Sequence, residues 1–213
     1  MVEENVIENV EEVVEEAEQP EVKMSIPLAP LFGKYEMDGI QIRDIGLARY
    51  MNLINYGVPH HGAKYANRQF GKSKVPIVER FINGIMRTEV YTGKKLKATK
   101  AVEDAFELVH KRTKENPVQV FVRALENASP REETTRLRFG GINVPKAVDV
   151  APQRRLDVAL RNLCRGVVAA SHKNKKSISE CIADELVKAS KNDPASFAVA
   201  KKDDLERIAK SAR

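Results

Sequence analysis

Apolar residues recur at the three- and four-residue spacing of an amphipathic helix over most of the chain from residue 76 onward. Asn116-Pro117 is typical of a helix start, and Ser177 with Glu180 forms a capping box at the start of a later helix. Asp203 is an acceptable cap for a last helix. Because each helix has an apolar face that must be buried, the helices are expected to pack against one another. The sequence therefore predicts a mainly α fold, an orthogonal bundle of about six helices.

The helical spacing is interrupted by two extended segments that flank Gly140-Gly141. Two glycines between extended segments are a strong signal for a tight hairpin turn. Pro145 cannot donate a ladder hydrogen bond, so the second arm is expected at an exposed edge. Arg136 and Arg138 make the first arm basic. We therefore predict an inserted, projecting β-hairpin at about residues 132–150, between the two halves of the bundle.

Charge is divided unevenly along the chain. Residues 1–22 contain nine Glu and no Lys or Arg, with valine, isoleucine and alanine at helical spacing between them. Short isolated helices are marginal in water and glutamate repulsion weakens this one, so we predict an acidic disordered tail that becomes helical only against a partner. The other 191 residues carry all 36 Lys and Arg against 21 acidic side chains, an excess of fifteen positive charges. A body with this excess is expected to attract polyanions.

These features divide the chain into three predicted regions. The acidic tail at residues 1–22 is followed by an N-terminal extension at residues 23–75 and by the helical domain with its hairpin at residues 76–213. The extension is predicted to contain a short helix from Asp44 to Tyr56, with Asp44 as its cap, and then a basic loop.

That loop is called the basic segment below, and it covers residues 57–74, GVPHHGAKYANRQFGKSK. Its cationic side chains are interleaved with Tyr65 and Phe70. Lysine and arginine on irregular backbone suit irregular RNA surfaces, so we predict RNA contact here. The candidate residues are Lys64, Arg68, Lys72 and Lys74.

A helix that begins near Pro152 carries arginines and leucines on opposite sides. At about 100° per residue, Arg154, Arg161 and Arg165 lie within about 40° of one another and face away from the leucines. Solvated faces usually mix charges of both signs, so this stripe favours contact with a phosphate backbone over simple solvation. Arg131 before the hairpin and the loop before the capping box extend the basic surface. That loop contributes His172, Lys173, Lys175 and Lys176.

The sequence contains no assembled catalytic site. Residues 92–95, Thr-Gly-Lys-Lys, resemble the end of a phosphate loop, but position 88 is Thr where the motif needs Gly, and position 95 is Lys where it needs Ser or Thr. Cys164 and Cys181 lie in apolar helical patterns, where cysteine is usually a small buried residue. We therefore expect no enzyme, cofactor, metal or small-molecule substrate. No apolar run approaches the length of a membrane span, so we also expect no membrane partner and a reducing cytoplasm as the compartment.

Several stretches of the chain occur in the order that they have in a known family. Residues 74–109 are KVPIVERFINGIMRTEVYTGKKLKATKAVEDAFELV, and residues 116–134 are NPVQVFVRALENASPREET. They are followed by LRFGG, VDVAPQRRLDVALRN, NKKSISECIADEL and VAKKDDLERIAKSAR. From about residue 26 to residue 213 the chain resembles the universal small-subunit ribosomal protein seven family, and its archaeal and eukaryotic branch more than its bacterial one.

The resemblance implies a structural protein of the ribosome in the cytoplasm, a helical domain with a β-ribbon arm that binds the 3′ major domain of small-subunit rRNA. It also implies a role in initiating assembly of the subunit head, and a position beside the exit-site tRNA, the mRNA exit path and neighbouring head and platform proteins. Matching positions imply rRNA contacts at Lys72, Lys74, Lys94, Lys95, Lys97, Arg154 and Arg155. The hairpin tip, which would face the exit-site tRNA or neighbouring rRNA, comprises Arg136, Arg138, Gly140 and Gly141.

The residues also leave open a second class of protein, a free architectural DNA- or RNA-binding protein whose basic β-arm wraps nucleic acid. Phe139 and Ile142 flank the glycine turn, and architectural proteins often carry an apolar wedge at such a position. Co-sedimentation with small subunits would distinguish a ribosomal protein from a free or DNA-bound one.

Overall fold

The computed structural model describes residues 29–54, 56–87 and 91–213, so the acidic tail predicted at residues 1–22 lies outside the described residues. The described chain is mainly α-helical with an antiparallel β-hairpin, which confirms the predicted fold class. Its elements in chain order are α1 (Ile45–Ala48), a 3₁₀ turn (Gly71–Lys74), α2 (Ile77–Ile85), α3 (Lys95–Thr113), α4 (Pro117–Ala128), β1 (Glu132–Phe139), β2 (Ile142–Asp149), α5 (Pro152–Ser171), α6 (Ile178–Ser190) and α7 (Phe197–Ser211).

Local signals in the sequence determine where α4 and α6 begin. The Asn116 side chain accepts the backbone N–H of Val118 at 3.0 Å, and Pro117 occupies the first turn of α4. Ser177 and Glu180 form the predicted capping box of α6. Each cap satisfies backbone donors that a helix start otherwise leaves unpaired. The predicted starts of these two helices are therefore confirmed.

The last helix begins earlier than we predicted. Ser196 caps α7, and Asp203 lies inside the helix, so the assignment of Asp203 as its cap was wrong. The buried Ser196 hydroxyl accepts the Val199 N–H at 3.4 Å and donates to Glu185 Oε1 at 2.7 Å. Glu185 belongs to α6, so a tertiary contact reinforces a local serine cap that the prediction missed.

Aromatic rings join three helices at the centre of the bundle. Phe81 of α2, Phe106 of α3 and Phe121 of α4 are fully buried. The centroid of the Phe121 ring lies 5.0 Å from that of Phe81 and 6.2 Å from that of Phe106. Burial of such rings contributes much of the apolar stabilisation of a small core. Cys164 and Cys181 are buried, as predicted. The N-terminal extension adds Leu31, Met37, Leu47 and Met51 to the same core.

Helices α2 and α5 approach each other closely at Gly84. A Cβ at this position would lie 2.5 Å from Cys164 Sγ, so a side chain there would require the Cys164 side chain or the helices to shift. The Cys164 thiol donates to the Phe81 carbonyl at 3.7 Å, and burial raises the pKa of that thiol to about 12. Cys164 is therefore an unreactive packing residue, and its contact with Gly84 fixes the spacing of α2 and α5.

The extension does not contain the helix that we predicted from Asp44 to residue 56. Asp44 does cap α1, since its side chain accepts the Gly46 N–H at 3.0 Å, but the helix ends at Ala48. Beyond it, the Asn52 carbonyl accepts the Ile77 N–H at 3.0 Å and the chain is bridged to the start of α2. Extended backbone is needed for this bridge, so the helix cannot continue. Of the apolar residues that suggested a longer helix, Met51 is buried without being helical, whereas Ile54 is 48% exposed.

The hairpin forms as the glycine pair predicts. Gly140 and Gly141 have φ values of +56° and +87°, and such positive values at both central residues allow a tight two-residue turn. The strands pair in continuous register from Glu132 opposite Asp149 to the turn. Pro145 lies in β2, which pairs with β1 and with no other described strand, so its missing N–H leaves no ladder unpaired.

The base of the hairpin is attached to the end of α7. The Ala147 N–H donates to the Ala212 carbonyl at 3.2 Å, and Arg213 forms an ion pair with Glu132. At the other end, Gly141 and Ile142 are exposed. The hairpin is therefore held at its base and presents its tip to solvent.

Candidate nucleic-acid interface

Cationic side chains from separate stretches of the chain line one groove between α2 and α5. The groove encloses about 940 Å³ and is bordered by the end of the basic segment. Apolar residues at its floor include Gly84, Leu160, Cys164 and Val168. We call this surface the basic groove, and its cationic members are Lys72, Arg80, Arg87, Arg161, Arg165 and His172.

Asp157 is the carboxylate that lines the basic groove, and it is already paired. It accepts Arg80 Nη2 at 2.5 Å and forms an ion pair with Lys72. Burial lowers the pKa of the Arg80 guanidinium and Asp157 raises it, so the carboxylate offsets part of the cost of burying this charge. The Arg80 side chain is only 8% exposed, whereas that of Lys72 is 53% exposed. Arg80 therefore supports the groove from inside, and Lys72 is exposed at its edge.

Three arginines of the basic groove are free to bind an external anion. Arg161 and Arg165 are exposed on α5, and Arg87 is exposed just after α2. Among the residues that the structure describes, none of these three guanidinium groups forms an ion pair. Guanidinium groups bind phosphate through paired, charge-assisted hydrogen bonds. The groove can therefore hold several phosphate groups of a nucleic acid.

The basic segment continues this cationic surface beyond the groove. It lines a second cavity of about 420 Å³, which shares Lys72 with the basic groove. The ammonium groups of Lys64 and Lys74 each lie 5.9 Å from the centroid of the Tyr65 ring. Phe70 is 59% exposed at the same cavity, and an exposed ring beside cations can stack on an unpaired base. The cavity contains the predicted contacts Lys64, Arg68 and Lys72.

A close backbone approach at Gly71 gives the basic segment its shape. A Cβ at this position would lie 2.4 Å from the Tyr65 carbonyl oxygen. The preceding residue, Phe70, has a φ of +55°, which costs a non-glycine residue about 1–2 kcal/mol. The Ser73 hydroxyl supports this conformation by donating to the Phe70 carbonyl at 2.7 Å. The segment therefore has one defined backbone path, and that path leaves the Phe70 ring exposed.

A buried carboxylate ties the basic segment to α2 and α3. Glu79 is 2% exposed, and its Oε1 accepts hydrogen bonds from the His61 backbone N–H at 2.9 Å and from the Lys95 ammonium at 2.5 Å. His61 Nδ1 lies 3.4 Å from Glu79 Oε2. Lys95, which the family resemblance suggests as an rRNA contact, is thus bound within the protein. Glu79 fixes the basic segment against the helices that form the groove.

The first turn of α3 carries lysines where helices favour acidic residues. Lys94 precedes the helix, Lys95 and Lys97 lie in its first turn, and that turn contains no acidic residue. The helix dipole places partial positive charge at the same end, so lysines there are unfavourable unless an anion binds. The Lys97 ammonium lies 5.5 Å from the Tyr91 ring. These lysines extend the cationic surface on the α3 side of Glu79.

The two arginines at the start of α5 have different surroundings. Arg154 donates to both Glu133 oxygens, at 2.6 and 2.7 Å, and this hydrogen bonding lowers the pKa of Glu133. Arg155 is 12% exposed and donates to Asp44 Oδ2 at 2.7 Å and to the Pro130 carbonyl at 3.2 Å. Arg155 therefore joins the extension to the base of the hairpin. Arg154 joins α5 to β1 and stays more than half exposed.

The hairpin has two chemically different faces. Residues that lie opposite one another in an antiparallel pair project to the same face, and the faces alternate along each strand. Arg136 and Arg138 share one face by this register. Leu137, Val144 and Val148 share the other, each at least 36% exposed. The arm that the sequence predicts to be basic therefore carries its two arginines on one face, and its exposed leucine and valines lie on the other together with Glu133 and Lys146.

The remaining predicted residues lie at other places on the surface. Arg131 borders a third cavity of about 710 Å³, where its backbone N–H donates to Glu206 at 3.0 Å. His172 lines the end of the basic groove, and Lys176 in the same loop pairs with Asp184 at 3.0 Å. The exposed lysines of this loop are Lys173, Lys175 and Lys176.

The structure thus brings together predicted residues from the basic segment, from α5 and from the loop after α5. It does not bring Arg131 or the hairpin arginines to the basic groove. Sequence reasoning missed Arg80 and Arg87, which belong to the groove, because the apolar face of α2 determined how that helix was interpreted. Their charge is visible in the sequence, but the rotation of α2 that turns them toward α5 is not.

Neither a metal centre nor a membrane span occurs in the described part of the chain. Within residues 29–54, 56–87 and 91–213, no group of three or more His, Cys, Asp or Glu side chains is placed to hold a metal ion. No helix in those ranges is both long enough and apolar enough to cross a membrane. The groups that the basic groove presents are those of an anion-binding surface.

Comparison with known proteins identifies the family. Residues 49–213 match the family described as ribosomal protein S7p/S5e. A relative from Picrophilus torridus, small ribosomal subunit protein uS7, is 54% identical over 183 residues, which are 86% of this chain and 98% of the relative. A relative of the same name from Methanothermobacter thermautotrophicus is 54% identical over 182 residues, which are 85% of this chain and 98% of the relative. Another from Archaeoglobus fulgidus is 52% identical over 183 residues, which are 86% of this chain and 94% of the relative. With this match over most of its length, the chain belongs to the ribosomal protein S7p/S5e family, in its archaeal form.

Proposed function

We propose that this chain is a structural component of the small ribosomal subunit and binds rRNA through the basic groove and the basic segment. Family membership makes it a ribosomal protein and not an enzyme. The observation that carries the proposal is the convergence of Lys72, Arg87, Arg161 and Arg165 on one groove. Lys72 and Arg87 flank α2, whereas Arg161 and Arg165 lie far along the sequence on α5, so their common location is a property of the fold.

Two cationic side chains of the groove are preorganised in the absence of RNA. Asp157 holds Lys72 and Arg80 in place, and such preorganisation lowers the entropy that is lost on binding. Each phosphate that a lysine or arginine neutralises releases roughly 0.7–0.9 of a condensed counterion. Binding should therefore be driven largely by counterion release and should weaken steeply as the salt concentration rises.

The proposed RNA is the 3′ major domain of small-subunit rRNA, and the proposed role includes initiating assembly of the subunit head. The resemblance of the chain to its family is the main support for this domain. The second cavity adds a physical reason, because an exposed aromatic ring, Phe70, lies beside Lys64 and Lys72. Stacking on unpaired bases suits folded rRNA with loops and bulges better than a continuous duplex.

The hairpin is proposed to lie beside the exit-site tRNA and the mRNA exit path, in ribosomes of the cytoplasm. Its base is fixed to α7 and its tip is exposed, so the face with Arg136 and Arg138 is available to a phosphate backbone. The opposite face carries exposed leucine and valine side chains, and these suit packing against a neighbouring head or platform protein. Both partners can be accommodated because the two faces of the ribbon point in opposite directions.

Two measurements test the proposal. In low-magnesium sucrose gradients of cell extract, nearly all of the protein should migrate with small subunits, and a mostly free or DNA-bound pool would instead favour an architectural nucleic-acid binder. The purified chain should also bind a transcript of the 3′ major domain more tightly than a transcript of the 5′ domain of similar length. Equal affinity for both transcripts would contradict the proposed rRNA domain.

A further inference from the structure

We propose that the acidic segment at residues 1–22 binds the basic groove when no RNA is present, so that the chain carries its own competitor for RNA. The proposal rests on the proposed function, in that RNA is the ligand displaced. It also identifies a partner for the segment, which lies outside the described residues.

The groove and the segment are chemically complementary in two respects. The groove has a cationic rim, with Arg161 and Arg165 unpaired among the described residues, above an apolar floor that includes Leu160 and Val168. The segment has nine Glu and no Lys or Arg, so its charge is opposite to that of the rim. Its apolar residues recur at helical spacing and match the floor. They are Val6, Ile7, Val10, Val13, Val14 and Ala17.

The hairpin and the loop after α5 do not offer both features together. The hairpin arginines, Arg136 and Arg138, lie on the face opposite to the apolar side chains of the ribbon. Lys173 and Lys175 are exposed in the loop after α5, and neither lines any of the three cavities described above. An amphipathic acidic segment is therefore better matched by the basic groove than by either of these surfaces.

The chain is also long enough to make the contact. The described structure begins at Ala29, close to Phe32, whose N–H donates to the Gly57 carbonyl at 3.0 Å. Gly57 is the first residue of the basic segment, which reaches the basic groove at Lys72. The seven steps from residue 22 to residue 29 span up to about 25 Å, and the acidic segment itself adds roughly 30 Å as a helix. A domain of this size has a radius of gyration of about 17 Å, so this reach is sufficient for the segment to lie in the groove.

Tethering makes even weak complementarity effective. Residues joined by a short linker experience one another at an effective concentration of the order of 1 mM. If the segment binds with an intrinsic Kd near 0.1 mM, it should weaken RNA binding by about tenfold at low salt. The effect should disappear at high salt, where the carboxylate–guanidinium attraction is screened.

The first experiment compares two full-length variants that remove the same charge from different places. The tail variant changes Glu11, Glu12, Glu15 and Glu16 to Gln. The control variant changes the exposed body residues Glu36 and Glu115 to Gln and Asp104 and Asp203 to Asn. At about 50 mM salt, the tail variant should bind a 3′ major domain transcript roughly tenfold more tightly than the parent chain, because its competitor is neutralised. Equal tightening in both variants would show a general effect of net charge and would overturn the proposal.

The second experiment needs no RNA. A synthetic peptide of residues 1–22, added to the full-length tail variant, should bind saturably in isothermal titration calorimetry. Adding Arg161→Gln and Arg165→Gln to that variant should abolish peptide binding, and Arg207→Gln with Lys210→Gln on α7 should not. Absence of peptide binding, or binding that ignores the groove substitutions, refutes the tail contact and leaves rRNA binding intact. Peptide binding by a chain that fails to bind rRNA would instead refute the proposed function.

Discussion

Replacing Arg161 and Arg165 by Gln should remove two phosphate contacts from the basic groove without changing the fold. Both side chains are exposed on α5 and form no ion pair among the described residues, so their loss leaves no carboxylate unpaired there. Glutamine is also a good helix former, so α5 should remain intact. Far-UV circular dichroism and the urea midpoint should therefore match those of the parent chain.

The size of the effect follows from counterion release. Two lost contacts, at roughly 0.7–0.9 counterions each, lower the slope of log K against log salt by about 1.4–1.8. If the rest of the interface is unchanged, and the two proteins bind equally at about 1 M salt, the slope change sets the affinity lost at lower salt. Affinity for a 3′ major domain transcript should then fall by roughly 25- to 60-fold at about 0.1 M salt, and by only about threefold at about 0.5 M. Fluorescence anisotropy titrations at four or five salt concentrations measure both quantities.

Arg207→Gln with Lys210→Gln is the matched control, because it removes the same charge from exposed positions on α7. The control should change the slope much less than the groove variant. If the two double variants give the same slope, the groove arginines act only through net charge. If the groove variant keeps the slope of the parent chain, these side chains face solvent in the complex, and the proposed interface is wrong.

Three further perturbations probe the contacts that support this surface. Gly84→Ala would place a Cβ 2.5 Å from Cys164 Sγ and should lower the free energy of unfolding by about 1–3 kcal/mol in urea titrations. Cys164→Ala in the same chain should recover part of that loss, and no recovery would contradict the close contact. Gly71→Ala should displace the basic segment, because the added Cβ would lie 2.4 Å from a backbone carbonyl oxygen. Tryptic cleavage within residues 57–74 should then be faster and RNA binding weaker, and an unchanged cleavage pattern would contradict this. The Arg154 hydrogen bond lowers the pKa of Glu133, so the stability that this pair contributes is complete above the ordinary Glu value of 4.5 and is lost as the pH falls through the lower value of the folded state. Arg154→Gln should therefore lose less stability than the parent chain on acidification in urea titrations, and equal losses would count against the pair.

Several parts of the fold follow from local sequence signals. Asn116-Pro117 and the capping box at Ser177 start helices where they were predicted, and Gly140-Gly141 closes the hairpin. Each signal acts within about four residues, through a hydrogen bond to a neighbouring backbone group or through a φ value that glycine adopts easily. The two errors have different causes. The helix after Asp44 is cut short by bridging to α2, a distant contact that overrides local preference. The start of α7 is a local serine cap that the prediction missed and that Glu185 of α6 reinforces.

The candidate interface shows the same division. The sequence identified the basic segment and the stripe of Arg154, Arg161 and Arg165 on α5 as cationic surfaces, and of the stripe only Arg161 and Arg165 line the groove. It did not show that these surfaces meet, that Arg87 joins them, or that Arg155 is bound inside by Asp44. Charge pattern shows which side of an element is basic, but pairing depends on which carboxylates are brought near in three dimensions.

The sequence by itself thus determined the helical character of this protein, the hairpin, the family and the excess of positive charge outside the first 22 residues. It could do so because periodicity, caps and turn glycines act locally, and composition is a sum over the chain. Only the tertiary structure decided which cations form one surface. The packing of α2 on α5, set by the contact of Gly84 with Cys164, places Lys72, Arg87 and the α5 arginines around a common groove. The relative rotation and spacing of packed helices depend on side-chain fit across the interface, and no single segment of the chain encodes it.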